Sequence, residues 1–187
     1  MKLAPSLWRT CRALANRRRL ACLRAALRSP NRPVKELAKT AGLSEAVASD
    51  YLRQLQSRGV LAAVRDGRWV RYAPRAEPSV AHAEPVLAAM RRALAPGAAN
   101  DAVLLRTLSA FTHSRRLLLL RMLQHNVGMR FAALRNATAM PSPALVRHLR
   151  KLAASNVVQA TAEGWRIASR PGVLAETLLR ENECLPR

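Results

Sequence analysis

The chain has 187 residues, with 32 Lys plus Arg against 11 Asp plus Glu and a formal charge of +21 at pH 7. That length holds one ordinary domain or two small ones, and no run approaches the roughly 20 uninterrupted apolar residues of a membrane helix, so no membrane partner is expected. The scarcity of acids as much as the abundance of arginine points to a polyanionic partner, nucleic acid first. Arg17, Arg18 and Arg19 follow an apolar stretch broken by Arg9 and Arg12, the wrong order for a secretory signal. Cys11, Cys22 and Cys184 form neither a CxxC pair nor a disulfide framework. Both features predict a cytoplasmic chain.

Taken in order, residues 5–14 predict a first helix, with Pro5 tolerated in its first turn. Residues 17–27 predict a second, placing Leu20, Leu23 and Leu27 on one face. A short third helix spans 34–40. Ser44 then offers an N-cap for a fourth helix, about 44–58, whose stripe is Val47, Ala48, Tyr51, Leu52 and Leu55. After Gly59 the period changes: 60–64 and 69–72 are β-prone, and Asp66-Gly67 between them is a tight-turn signal. The hairpin as a whole covers 60–73. A helix over 80–94 closes this unit, and the breaker-rich stretch from Pro96 to Asn100 marks a boundary.

The remainder repeats the first part at an offset of 97 residues. Arg9-Thr10 falls on Arg106-Thr107, Arg18-Arg19-Leu20 on Arg115-Arg116-Leu117, Leu52-Arg53 on Leu149-Arg150 and Val60 on Val157. Gly59 faces Asn156, the two residue types best suited to the left-handed conformation that ends a helix. Asp66-Gly67 faces Glu163-Gly164, which predicts a second, weaker hairpin turn at that pair. The expected fold is mainly α with small β-hairpin wings, as two tandem winged helix-turn-helix domains over 1–96 and 97–187. The second domain has its fourth helix at about 142–155 and its hairpin at 157–168.

Residues 34–74 resemble the ArsR family of bacterial repressors. ELA stands at 36–38, LS at 43–44, and RDGRWVRY at 65–72 follows the family's wing pattern RxGRxVxY. The resemblance covers most of 5–95 and, more weakly, 100–183, so the chain looks like an internally duplicated form. It implies that the fourth helix of each unit enters the major groove of double-stranded DNA and that the wing reaches the backbone or minor groove. The residues so implied in the first unit are Ser44, Glu45, Ser49, Asp50, Arg53 and Gln54. In the second they are Ser142, Val146, Arg147, Arg150 and Lys151. Arginine donates twice to guanine, whereas a carboxylate only accepts, so the two helices are expected to read different sequences. Arg65, Arg68 and Arg71 of the first wing, and Arg166 of the second, are expected to hold phosphates from an exposed face.

Family members work as homodimers joined by their first and last helices. The resemblance therefore implies an intrachain pseudo-dimer built by residues 5–14, 80–94, 100–112 and 172–183, free to pair further with a second copy. The thiolate and carboxylate–histidine ligands of the family's metal sensors are missing, and His82 with Glu84 does not make a site, so neither metal nor other cofactor is expected. Cys11 and Cys22 read as small core residues. There is no phosphate loop, HExxH or GxSxG, and no catalytic residue is assigned. A nonspecific nucleoid or RNA-binding protein would also satisfy the charge. Glu45 and Asp50 keep a protein-interaction module in view.

Overall fold

Helix α1 (Leu7–Leu14) buries Leu7, Thr10, Cys11 and Leu14 on one face. Helix α2 (Arg17–Arg28) adds Leu20, Leu23 and Ala26, and its first turn is capped by Asn16, whose side chain accepts from the Arg19 amide. Strand β1 (Arg32–Pro33) leads into α3 (Val34–Ala41). Gly42, at φ 66°, then turns the chain into α4 (Glu45–Gln56). Ser44 Oγ accepts from the Val47 amide at 3.4 Å, capping α4, whose Ala48, Leu52 and Leu55 are completely buried. Each such leucine contributes about 1.5–3 kcal/mol. Strands β2 (Ala62–Asp66) and β3 (Trp69–Ala73) form a hairpin to which β1 adds, in the order β1-β3-β2, and α5 (Ala83–Ala93) follows.

The computed structural model describes residues 5–98, 100–126 and 128–184. The extreme ends of the two predicted domains and residue 99 of the predicted joint lie outside the described residues. The same order recurs as α6 (Asp101–Ala110), α7 (Ser114–His125), α8 (Phe131–Thr138), α9 (Ser142–Ala154), β4 (Val158–Thr161), β5 (Gly164–Ile167) and α10 (Val173–Glu183). The described residues are mainly helical with two small antiparallel sheets.

Several expected boundaries shift. Helix α1 begins at Leu7, because Ser6 holds an extended N-cap conformation. Strand β2, the first of the hairpin, starts at Ala62, with Val60 and Leu61 buried in the approach to it. The fourth helix stops at Gln56 and the closing helix starts at Ala83, where a turn stands in place of the expected first residues.

The repeat register is kept through α7, α8 and the start of α9, then breaks at the second hairpin. Val64 pairs with Arg71 in the first hairpin, whereas Thr161 pairs with Gly164 in the second. Two cross-strand pairs are therefore absent and the turn is Ala162-Glu163, not Glu163-Gly164. Trp165, not Ser169, fills the place of Tyr72: Met129 exchanges backbone bonds with it at 2.9 and 2.8 Å, as β1 pairs with Tyr72 in the first unit. Gly164 serves that close approach. A Cβ there would lie 2.5 Å from the Met129 carbonyl carbon and oxygen.

The two units share one contiguous apolar core, from Leu7 and Leu14 through Leu87, Met90, Leu108 and Phe111 to Leu178. Helix α1 packs on α6, α5 packs on α10, and α10 also touches α6 and α7. Among the described residues no helix is long and apolar enough to cross a membrane.

Candidate nucleic-acid interface

Helix α4 turns its apolar stripe onto α2 and α3, which leaves Glu45, Asp50, Arg53 and Gln54 exposed and Ser49 half-buried. Its charges are largely answered from within. Arg53 is ion-paired to Asp50 one turn away, and Gln54 Oε1 accepts from Arg19 NH1 at 2.9 Å. The Arg19 guanidinium also lies over the Tyr51 ring, 5.6 Å from its centroid. Ser44, exposed, is occupied as the cap.

Helix α9 differs at each of these places. It stands against α7, α6 and β4, burying Leu145, His148, Leu149 and Leu152. Arg147, Arg150 and Lys151 are exposed, and among the described residues no carboxylate lies within ion-pair distance of them. Ser142 begins the helix, half-buried, and Val146 is half-buried beside it.

The wing arginines do not form one face. Arg65 pairs across the hairpin with Val70, and Arg71 with Val64, so their side chains leave opposite faces of the sheet. Arg71 is moreover engaged. Its Nε donates to Asp66 Oδ2 at 2.6 Å and its NH1 to the Asn31 carbonyl at 3.3 Å. Arg68 occupies the turn, its guanidinium 5.0 Å from the Trp69 ring centroid. Among the described residues neither Arg65 nor Arg68 is ion-paired to a carboxylate, and both lie next to exposed Val64 and Trp69. Because the second hairpin is shorter, Arg166 sits at the base of the wing, opposite Gln159, and its NH2 reaches Ser169 Oγ at 3.5 Å. It takes the place of Ala73 and lies away from the hairpin tip.

Two arginines that sequence reasoning left without a role are structural. Arg19 Nε donates to the Ala13 carbonyl and Arg116 Nε to the Ala110 carbonyl at 2.8 Å, the same bond in both units. This accounts for the repeated Arg-Arg-Leu: the second arginine ties the helix back to its predecessor, and the leucine enters the core. The matching of the two segments was the available signal.

Other titratable groups are buried away from these surfaces. Cys11 and Cys22 are completely buried, and burial pushes both thiols up, Cys22 to about 11, far from a reactive thiolate. His82, also buried, meets Thr10 Oγ1 through Nε2 at 2.9 Å, and burial lowers its pKa. No group of three or more metal-ligating side chains occurs among the described residues. Comparison with protein-family models, with curated proteins and with solved structures returned no match to this chain.

Proposed function

We propose that the chain is a sequence-specific, double-stranded-DNA-binding transcriptional regulator, a cytoplasmic repressor acting as a single-chain pseudo-dimer of two winged helix-turn-helix domains. The observation that carries this is α9: three exposed cations on the outer face of a helix that follows a short helix and a tight turn, with no acidic partner among the described residues. The recurrence of helix-turn-helix and hairpin, the packing of α1 on α6 and of α5 on α10, and the resemblance of residues 34–74 to ArsR repressors support it.

In this account α9 is the stronger reader. Arg147 and Arg150 can each donate to a guanine edge, whereas α4 offers an Asp50–Arg53 pair and a Gln54 already bonded to Arg19. Arg65 and Arg68 hold phosphates and set register without specifying sequence. The operator is accordingly asymmetric, with half-sites about one helical turn apart.

Selection of bound duplexes from a random pool at about 0.2 M salt, where purely electrostatic binding is strongly weakened, tests this. A defined asymmetric motif is the expected result. Retention of duplexes without any motif would replace the regulator with a nonspecific nucleic-acid binder.

A further inference from the structure

Between α7 and α9 lies an open pocket of about 530 Å³ lined by His113, Arg116, Arg147, His148, Arg150 and Lys151, with Ala154 at its edge. The repeat supplies an internal comparison for it. At the matching positions of the first unit stand Asn16, Arg19, Asp50, Tyr51, Arg53 and Gln54. There the charge is answered on the spot, Arg53 by Asp50 and Arg19 by Gln54 and the Tyr51 ring. In the second unit the acid has become Arg147, the amide Lys151 and the phenol His148, so each neutralising partner is replaced by a basic group.

Exposed cations alone commonly form a solvated face. Two further features set this pocket apart. His148 is only 5% exposed, and its buried Nδ1 has no hydrogen-bond partner among the described residues. A buried polar atom of this kind is unfavourable when left unmet. Its ring also lies against that of His113, centroids 4.9 Å apart, while His113 Nδ1 is occupied in accepting from the Arg115 amide at 3.1 Å. Arg116 is fixed in place by the Ala110 and Ser109 carbonyls and by Thr112 Oγ1, so part of the positive wall is preorganised.

We propose that this pocket is a phosphate-binding site, with Arg116 and Lys151 as its inner donors beside His148 and Arg147 and Arg150 at its rim. The phosphate comes either from the backbone of DNA lying on α9, which rests on the function proposed above, or from a free phosphorylated molecule. Charge explains what a phosphate changes. Burial, with His113, Arg116, Arg147 and Arg115 facing it, holds His148 down at about 4, and Arg12 of α1 adds to the field on His113. Lys151 and Arg150 complete the charged surroundings, and among the described residues no acid lines the pocket. An anion supplies the missing countercharge, favours the protonated ring and makes binding take up a proton.

The test follows the imidazole resonances of His148 and His113 by NMR in the full chain. Inorganic phosphate is added in one arm and a short duplex of random sequence in another, for wild type and for Lys151→Gln. The expected result is a saturable His148 shift with its pKa raised by about one unit or more, and binding weakened about tenfold or more by Lys151→Gln. Saturation by phosphate assigns a free phosphorylated ligand, and saturation by the duplex alone assigns the DNA backbone. No shift in either arm, or a non-saturating shift unchanged in Lys151→Gln, overturns the site. A duplex selection that yields no motif leaves these titrations intact, so the two proposals fail separately.

Discussion

Arg24, on the second helix of the first unit, grips Asp101, the residue that opens the second unit, with NH1 to Oδ2 at 3.4 Å and a shorter contact through NH2. The hydrogen bond from Arg24 holds the Asp101 carboxyl below the usual carboxylate range. Because the folded pKa is depressed, the stabilisation is fully present above the unfolded value of about 4 and is lost as pH falls through the folded value. Both side chains keep about a quarter of their surface in solvent, so Asp101→Asn should cost only about 0.5–1 kcal/mol. Urea unfolding at neutral pH and at successively lower pH checks this: the variant's deficit should shrink as the pH falls below about 4.

His82 gives the opposite window. Its folded pKa lies below the ordinary value of about 6.5, so it contributes no pH dependence above that value, and stability falls as pH drops below it. The advantage of wild type over His82→Gln, measured by thermal unfolding, should be largest at pH 7.5 and shrink at pH 5. A constant difference would mean that the ring is not held neutral by burial.

Backbone conformation separates two substitutions of opposite sign. Ala139 occupies the left-handed region at φ 51°, in the turn where the first unit has Gly42, and Ala139→Gly should stabilise by about 1 kcal/mol. Gly164→Ala forces a Cβ into the Met129 backbone and should destabilise by about 2 kcal/mol or more. Chemical denaturation of both variants measures the pair.

On the proposed DNA-binding surface, Asp50→Asn frees Arg53 from its ion pair. Tighter duplex binding should follow, with a salt slope steeper by about one. Arg150→Ala should instead cost about 1–3 kcal/mol on the selected site and relax preference at the position it reads. Fluorescence anisotropy across a salt series distinguishes them.

Most of the helical pattern was legible because it is written in local signals: the Ser44 cap, the Leu52 and Leu55 stripe, and the Gly59 and Asn156 helix ends, both at positive φ. The repeat told which segments share a structure. What misled was Gly164. Aligned without gaps it matches the turn glycine Gly67, but its smallness serves a close backbone approach, and four residues are missing from the second wing. Pairwise identity cannot distinguish a glycine kept for a turn from one required by a neighbour. Nor do strand alternation and charge reveal that Arg71 spends its guanidinium on Asp66 and Asn31, since those partners are set by the hairpin register and by β1. The pocket around His148 was invisible for the same reason: it forms only when α7 and α9 come together.

The central claim, that unequal faces of α4 and α9 read DNA sequence, is tested most directly by the ratio of affinities for the selected duplex and for a shuffled duplex of the same composition at about 0.2 M salt. A sequence-specific regulator should prefer the selected duplex by a factor on the order of 10³ or more. Equal affinities, falling together as salt rises, would contradict it and leave a protein that recognises only the charge of the backbone.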